Sequence, residues 1–142
     1  MGALPRATLQ RLATSKINDA RLLFENQRYS NSYYLYGYGI ELGLKACIAR
    51  QMMAETVPDK AILRGFLDHE IGKLVGLVGL AGLSESLKTE RDNPQFDIRW
   101  SIVSEWSVES RYDMIDAVTA AAMQDAIESP QFGVMRWLQQ FW

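Results

Sequence analysis

Cysteine occurs once in this chain, at Cys47, and histidine once, at His69. A lone cysteine excludes an intramolecular disulfide and a thiolate metal cluster. A lone histidine removes multi-histidine metal centres. No metal and no other cofactor is expected. An excess of positive charge is also missing: 15 Lys and Arg stand against 17 Asp and Glu, a formal net charge of -2. Proteins that grip long phosphate backbones usually carry a basic excess or stripe, so charge gives polynucleotide binding no support. Long apolar runs are absent too. The longest, Leu74 to Leu83, is about half the roughly 20 residues that a spanning helix needs. The opening residues Met1-Gly2-Ala3-Leu4-Pro5-Arg6 hold no apolar core of a signal peptide, and Arg6 stands where a myristoylation motif wants Ser or Thr. A cytoplasmic protein with no membrane association is expected.

What is present is helical. The chain has 142 residues, 48% of them apolar and 23% charged, an ordinary globular balance that suits one domain over 1–142. No stretch alternates β-branched and polar residues, so strands have no candidate. Leu9, Leu12, Ala13, Ile17, Ala20, Leu23 and Phe24 recur at threes and fours and mark a helix over about 5–28. Ser30 and Asn31 are placed to cap a second helix, about 31–54. Thr56-Val57-Pro58-Asp59 opens a short piece to about Arg64. Asp68 caps a third helix to about Val78, weakened beyond by Gly79 and Gly82. Residues 84–99 read as a fraying helix followed by a turn at Asn93-Pro94, and 99–112 as a helical or irregular connector. Asp113 or Asp116 opens a helix to Glu128. Ser129-Pro130, a cap followed by proline, launches a last one to Trp142. No repeats or linkers interrupt this order, and one bundle accounts for the chain.

The second helix carries most of the information. From Tyr33 to Ala46 it is apolar on nearly every side, the mark of a central helix. Gly37, Gly39 and Gly43 each cost roughly 1 kcal/mol relative to alanine in such a position. Gly39 and Gly43 lie four apart, which predicts close approach of a neighbouring helix. A phosphate loop is excluded, because the spacing is wrong and no strand precedes it. Glu41 and Lys45 are the polar exceptions on an apolar face, in the order that favours an i,i+4 ion pair. Exposed, such a pair contributes tenths of a kcal/mol. Buried, it is expensive and serves either the fold or a bound polar ligand.

Taken together, Tyr34-x-x-Gly37-Tyr38-x-x-Glu41-Leu42-x-Leu44-Lys45-Ala46 resembles the second-helix signature of HEPN domains. Asp19-Ala20-Arg21-Leu22-Leu23-Phe24 is similar to the family's first helix, and His69-x-Ile71-x-x-Leu74 to the start of its third. Trp100, Trp106 and Arg111-Tyr112, then Gly133-Val134-x-x-Trp137-Leu138-x-x-x-Trp142, resemble the closing segments of one bacterial branch. The likeness covers about 15–142. It implies an up-and-down four- to five-helix bundle, commonly homodimeric, in toxin–antitoxin or phage-defence systems. Some members cleave RNA; others pair with a nucleotidyltransferase or antitoxin partner, or bind nucleotides without cleaving.

The nuclease branch uses an Arg-x4–6-His motif whose histidine moves protons while arginine stabilises phosphate charge. Arg64 and His69 satisfy the spacing and are the candidate catalytic pair. They precede the third helix, however, whereas the family's motif lies late in the chain. The alternative for His69 is a partly buried residue at a helix start, bonded to a backbone or carboxylate group. Arg111, followed by Tyr112, is suited to stack its guanidinium and to meet a carboxylate such as Glu41. Glu41, Lys45, Arg111 and Tyr112 are therefore the candidate ligand-binding residues. The expected function is a non-catalytic module binding a nucleotide or a partner protein. A ribonuclease toxin cleaving RNA at a dimer interface is the alternative, and a structural or regulatory subunit without ligand the second. The apolar C-terminus (Phe132, Val134, Trp137, Leu138, Phe141, Trp142) reads as core or as a homodimer face.

Overall fold

The computed structural model describes residues 5–54, 69–75 and 81–142. Helix α1 (Arg6–Glu25) follows its apolar spacing, with Leu9, Ala13, Ile17 and Ala20 all buried. It ends in a Schellman turn: Arg28 N donates to Leu23 O at 2.8 Å and Gln27 N to Phe24 O at 3.0 Å. Gln27 takes the left-handed position usually given to glycine, with φ 61°. The chain reverses at once into α2 (Tyr29–Ala54). The two helices run antiparallel, since Ser32 Oγ donates to Ala20 O at 2.8 Å while Gly39, further along α2, lies against Ile17 and Ala13. Neither Ser30 nor Asn31 caps α2, which already starts at Tyr29. Ser30 Oγ instead accepts from Ile115 N at 2.9 Å, tying the start of α2 to a distant loop.

Five shorter α-helices and a 3-10 segment come next among the described residues: α3 (Ile71–Val75), α4 (Ala81–Glu90), α5 (Pro94–Ser104), the 3-10 segment (Val108–Tyr112), α6 (Ala117–Glu128) and α7 (Val134–Leu138). The protein is all-α, with no strand among the described residues. The helical piece at 56–64 and the Asp68 cap expected from sequence lie outside them. The turn expected after the helix is present, with Asn93 N donating to Glu90 O at 3.0 Å, but Asn93-Pro94 also starts the next helix. Asn93 Oδ1 accepts from Gln95 N at 2.9 Å, and proline, which has no N–H to leave unsatisfied, takes the first helical position. Asp116 is the cap of α6, accepting from Thr119 N at 2.7 Å. Ser129-Pro130 opens no helix. Ser129 Oγ accepts from Phe132 N at 3.3 Å within a turn, and α7 begins only after Gly133 and ends at Leu138.

From Ile115 onward the chain climbs α2 from its first turn. Ile115 meets Ser30, Gln124 and Glu128 meet Tyr36, and Leu138 meets Gly43 and Cys47. The three glycines of α2 are notches for three different neighbours. A Cβ at Gly37 would run into the Trp106 indole, one at Gly39 would stand 2.6 Å from Ile17 Cδ1, and one at Gly43 2.6 Å from Leu138 Cδ2. Gly39 and Gly43 thus serve α1 and α7 respectively, not a single partner helix. Close approach on all sides explains why α2 tolerates residues that weaken it as an isolated helix.

Trp137 is fully buried and sits among Phe96, Trp100 and Phe141 with ring centroids 5.7 to 5.8 Å away. Its Nε1 donates to Ser86 Oγ of α4 at 2.9 Å. Val134, Trp137 and Leu138 are core, and Phe141 and Trp142 are half-buried against it. The C-terminal aromatics are therefore largely spent inside the bundle, which removes the sequence-based motive for a homodimer face there. Cys47 is buried and its thiol is pushed up to about 12 by that burial, so it is no nucleophile. No described helix is long and apolar enough to cross a membrane.

Candidate functional site

Tyr34, Tyr38, Glu41 and Lys45 are spaced four, three and four apart, which sets them along one face of α2. Glu41 is only 2% exposed, and Lys45 is also buried. Lys45 Nζ lies 3.2 Å from Glu41 Oε2. The other oxygen, Oε1, lies 3.0 Å from His69 Nδ1, just before α3. Both carboxylate oxygens are thus engaged, by a residue one turn away and by another from a separate element. This is the arrangement a buried carboxylate needs, because an unpartnered charge in that setting costs several kcal/mol.

His69 differs from its two partners in being open to solvent, with its side chain 55% exposed. A carboxylate oxygen only accepts, so Nδ1 carries the proton that faces it and Nε2 is the acceptor of the neutral ring. Glu41 therefore fixes the orientation and tautomer of an imidazole at the surface. Carboxylate pairing of His69 is the alternative that its sequence position allows; the identity of the partner, 28 residues away, is not legible from sequence. Arg64, the other half of the candidate catalytic pair, lies outside the described residues.

Above Glu41 on the same face, Tyr38 is half-buried. Burial first, then the charge of Glu41, holds its hydroxyl above the ordinary phenol range. Lys16 of α1 stands 5.7 Å over the Tyr38 ring. Tyr34 meets Tyr38 edge-on at 6.0 Å and Trp106 at 5.9 Å. The result is an aromatic run that ends in a carboxylate-held imidazole, with a lysine over the Tyr38 ring. Sequence alone puts Tyr34 and Tyr38 on the apolar face without assigning them a role, and gives no reason to single out Lys16. The tyrosine–tyrosine–glutamate–lysine spacing is the available signal.

Arg111 and Tyr112 stand elsewhere. The Arg111 guanidinium stacks 4.9 Å from the Tyr112 ring centroid, and both side chains are exposed. The stacking expected of Arg111 is present, but its pairing with Glu41 is not. The 3-10 segment lies by the first turns of α2, where the charge of Asp113 reaches Tyr33, and both Glu41 oxygens are already occupied. The nearest link between Arg111 and the aromatic run is electrostatic, through Tyr34.

A second polar network has no counterpart in the sequence-based expectations. Arg21 of α1 grips Glu128 of α6 with Nε and Nη2. The buried Tyr36 hydroxyl donates to Glu128 Oε2 at 2.5 Å and accepts from Gln124 Nε2 at 3.0 Å. Burial, followed by the Glu128 hydrogen bond, pushes the Tyr36 hydroxyl well above the usual phenol range. This network joins α1, α2 and α6, and its groups satisfy one another. No cluster of three or more His, Cys, Asp or Glu suited to a metal occurs among the described residues. Compared with family models, with curated proteins and with solved structures, the chain matches none.

Proposed function

We propose that this chain is a HEPN-like bundle that binds a nucleotide without cleaving it. The observation that carries the reading is the fixed imidazole of His69 on buried Glu41, set at the end of the Tyr34–Tyr38 run with Lys16 beside it. Aromatic side chains stack bases regardless of sequence, while cations receive phosphate oxygens. A net charge of -2 suits a single nucleotide better than a long polyanion. The resemblance adds a toxin–antitoxin or phage-defence setting, a nucleotidyltransferase or antitoxin partner, and a homodimer.

One observation favours the ribonuclease alternative. A histidine whose Nδ1 is held by a carboxylate presents Nε2 as a general base, the division of labour seen wherever an acid orients a catalytic imidazole. RNA cleavage would use Nε2 to take the 2′-hydroxyl proton, with Arg64 neutralising the phosphate.

Titration with fluorescent ATP and GTP analogues separates the two. Saturable binding is expected, weakened roughly tenfold or more in His69→Ala and in Tyr38→Leu, about 1.4 kcal/mol per decade. Single-stranded RNA and tRNA stay intact. Absence of saturable binding for either nucleotide ends the module reading. RNA cleavage lost in both His69→Ala and Arg64→Ala, with folding retained, establishes the nuclease instead. Separately, light scattering at tens of micromolar is expected to give a dimer mass; a monomer mass removes the homodimer from this reading.

A further inference from the structure

Single large apolar side chains are often left in water, but here three fall within seven residues of one another. Tyr112 is 71% exposed, Met114 95% and Val118 79%. Chain ends and frayed loops often expose such residues, but this segment is anchored at each side. Asp113 N donates to Ser110 O at 3.0 Å, Ile115 N to Ser30 Oγ at 2.9 Å, and Thr119 N to Asp116 Oδ1 at 2.7 Å. The backbone that carries Met114 is thus held between fixed points, so the cost of ordering that backbone is already met before anything binds.

Ala117, Val118, Thr119 and Ala121 are exposed at the start of α6. No charged residue lies between Asp116 and Asp125. Small side chains there allow a second helix to approach closely. Along 105–116 acidic side chains outnumber basic ones. Glu105, Glu109, Asp113 and Asp116 are all exposed, against one base in that stretch of sequence, Arg111, which is drawn onto Tyr112.

We infer that residues 109–121 form a docking surface for a partner protein's amphipathic helix, one whose apolar stripe is edged by lysine or arginine. Charge complementarity selects that occupant. Nucleic acid and anionic membrane share the sign of the rim and are repelled. A second copy of this chain, meeting through the same patch about a twofold axis, would bring one acidic rim against another, an arrangement that disfavours self-association here. The inference stands independently of nucleotide binding, because it uses none of Tyr38, Glu41, Lys45 or His69.

The test uses two labelled helical peptides of about 18 residues, five turns, each with a leucine stripe. One has lysine flanks and the other glutamate flanks. Fluorescence anisotropy with the full chain is expected to show binding of the lysine peptide, weakened at least tenfold by Met114→Asp or Val118→Asp, and weakened again by raising the salt. Ile98→Asp, on an exposed site of α5, is expected to bind like wild type. All three replaced side chains are exposed, so unchanged melting temperatures confirm that the variants fold. Equal binding of both peptides, or equal binding by wild type and the Met114 and Val118 variants, overturns the inference. So does a dimer in sedimentation that Met114→Asp dissociates, since the occupant is then a second copy.

Discussion

Replacing Lys45 by methionine is expected to destabilise the fold by roughly 3–5 kcal/mol, the usual cost of removing one partner from a buried ion pair. The reason lies in the surroundings of Glu41, which is 2% exposed. Its carboxylate keeps His69 after the substitution, but loses the ammonium that is buried with it. Equilibrium urea unfolding followed by far-UV circular dichroism gives the measurement. Two companion variants locate the effect. Glu41→Leu with Lys45→Met removes both charges and is expected to recover much of the loss, because an apolar pair of similar volume is tolerated where a single charge is not. His69→Ala, at a side chain 55% exposed, is expected to cost far less than Lys45→Met. A Lys45→Met midpoint matching wild type would show that the pair behaves as an ordinary surface contact. The contrast between Lys45 and His69 also has functional use: a large loss of binding with a small loss of stability at His69 separates ligand recognition from folding.

Trp137→Ala is expected to be of the same size, roughly 3–5 kcal/mol, and for a different reason. Large-to-small changes in a core lose transfer free energy and leave a cavity that the surroundings fill only in part. Trp137 is ringed by Phe96, Trp100 and Phe141, flat side chains that cannot easily close over such a gap. Its indole also donates to Ser86 Oγ, so the substitution removes that link between α4 and α7 as well. Trp137→Phe keeps most of the volume and is expected to cost less than half as much, with the remainder attributable to that hydrogen bond. Near-UV circular dichroism should show the aromatic cluster loosened in the alanine variant. Equal stability of Trp137→Ala and wild type would place this residue outside the core.

The long helices are legible in the sequence because their apolar residues keep one period over several turns, as from Leu9 to Ala20. Asp116 is legible as a cap because a polar residue stands directly before an alanine-rich run. Proline misleads in both directions. Asn93-Pro94 and Ser129-Pro130 carry the same local signal, a capping residue and then proline, yet the first opens α5 and the second closes a turn. The residues beyond each proline decide between them: Phe96, Trp100 and Val103 return at helical spacing, whereas Gln131-Phe132-Gly133 bring a glycine within one turn. For the candidate site, the i,i+4 order of Glu41 and Lys45 is visible in sequence, but burial is not, since it depends on elements that pack from elsewhere in the chain. The place of His69 on Glu41 depends on how α3 sits on α2. Arg111 is suggested by the Arg-Tyr step after two tryptophans, and its position beside the first turns of α2 separates it from Glu41.

The way the chain winds about α2 has a consequence for its synthesis on the ribosome. The α1–α2 hairpin emerges ahead of the helices that pack on it and closes through a short reversal, a local contact that forms quickly. Yet from Tyr36 to Ile48 nearly every residue of α2 is buried in the finished protein, and α1 covers only one side. The remaining sides wait for Trp106, then Gln124 and Glu128, and finally Leu138, which meets Cys47 across 91 residues of chain. Until α7 leaves the exit tunnel, the part of the hairpin around Gly43 and Cys47 lacks the Leu138 that packs on it in the finished protein. Transiently exposed apolar surface is what invites premature association and chaperone capture. The interval between the closing of the first hairpin and the release of α7 is therefore one in which this fold is still incomplete around Cys47.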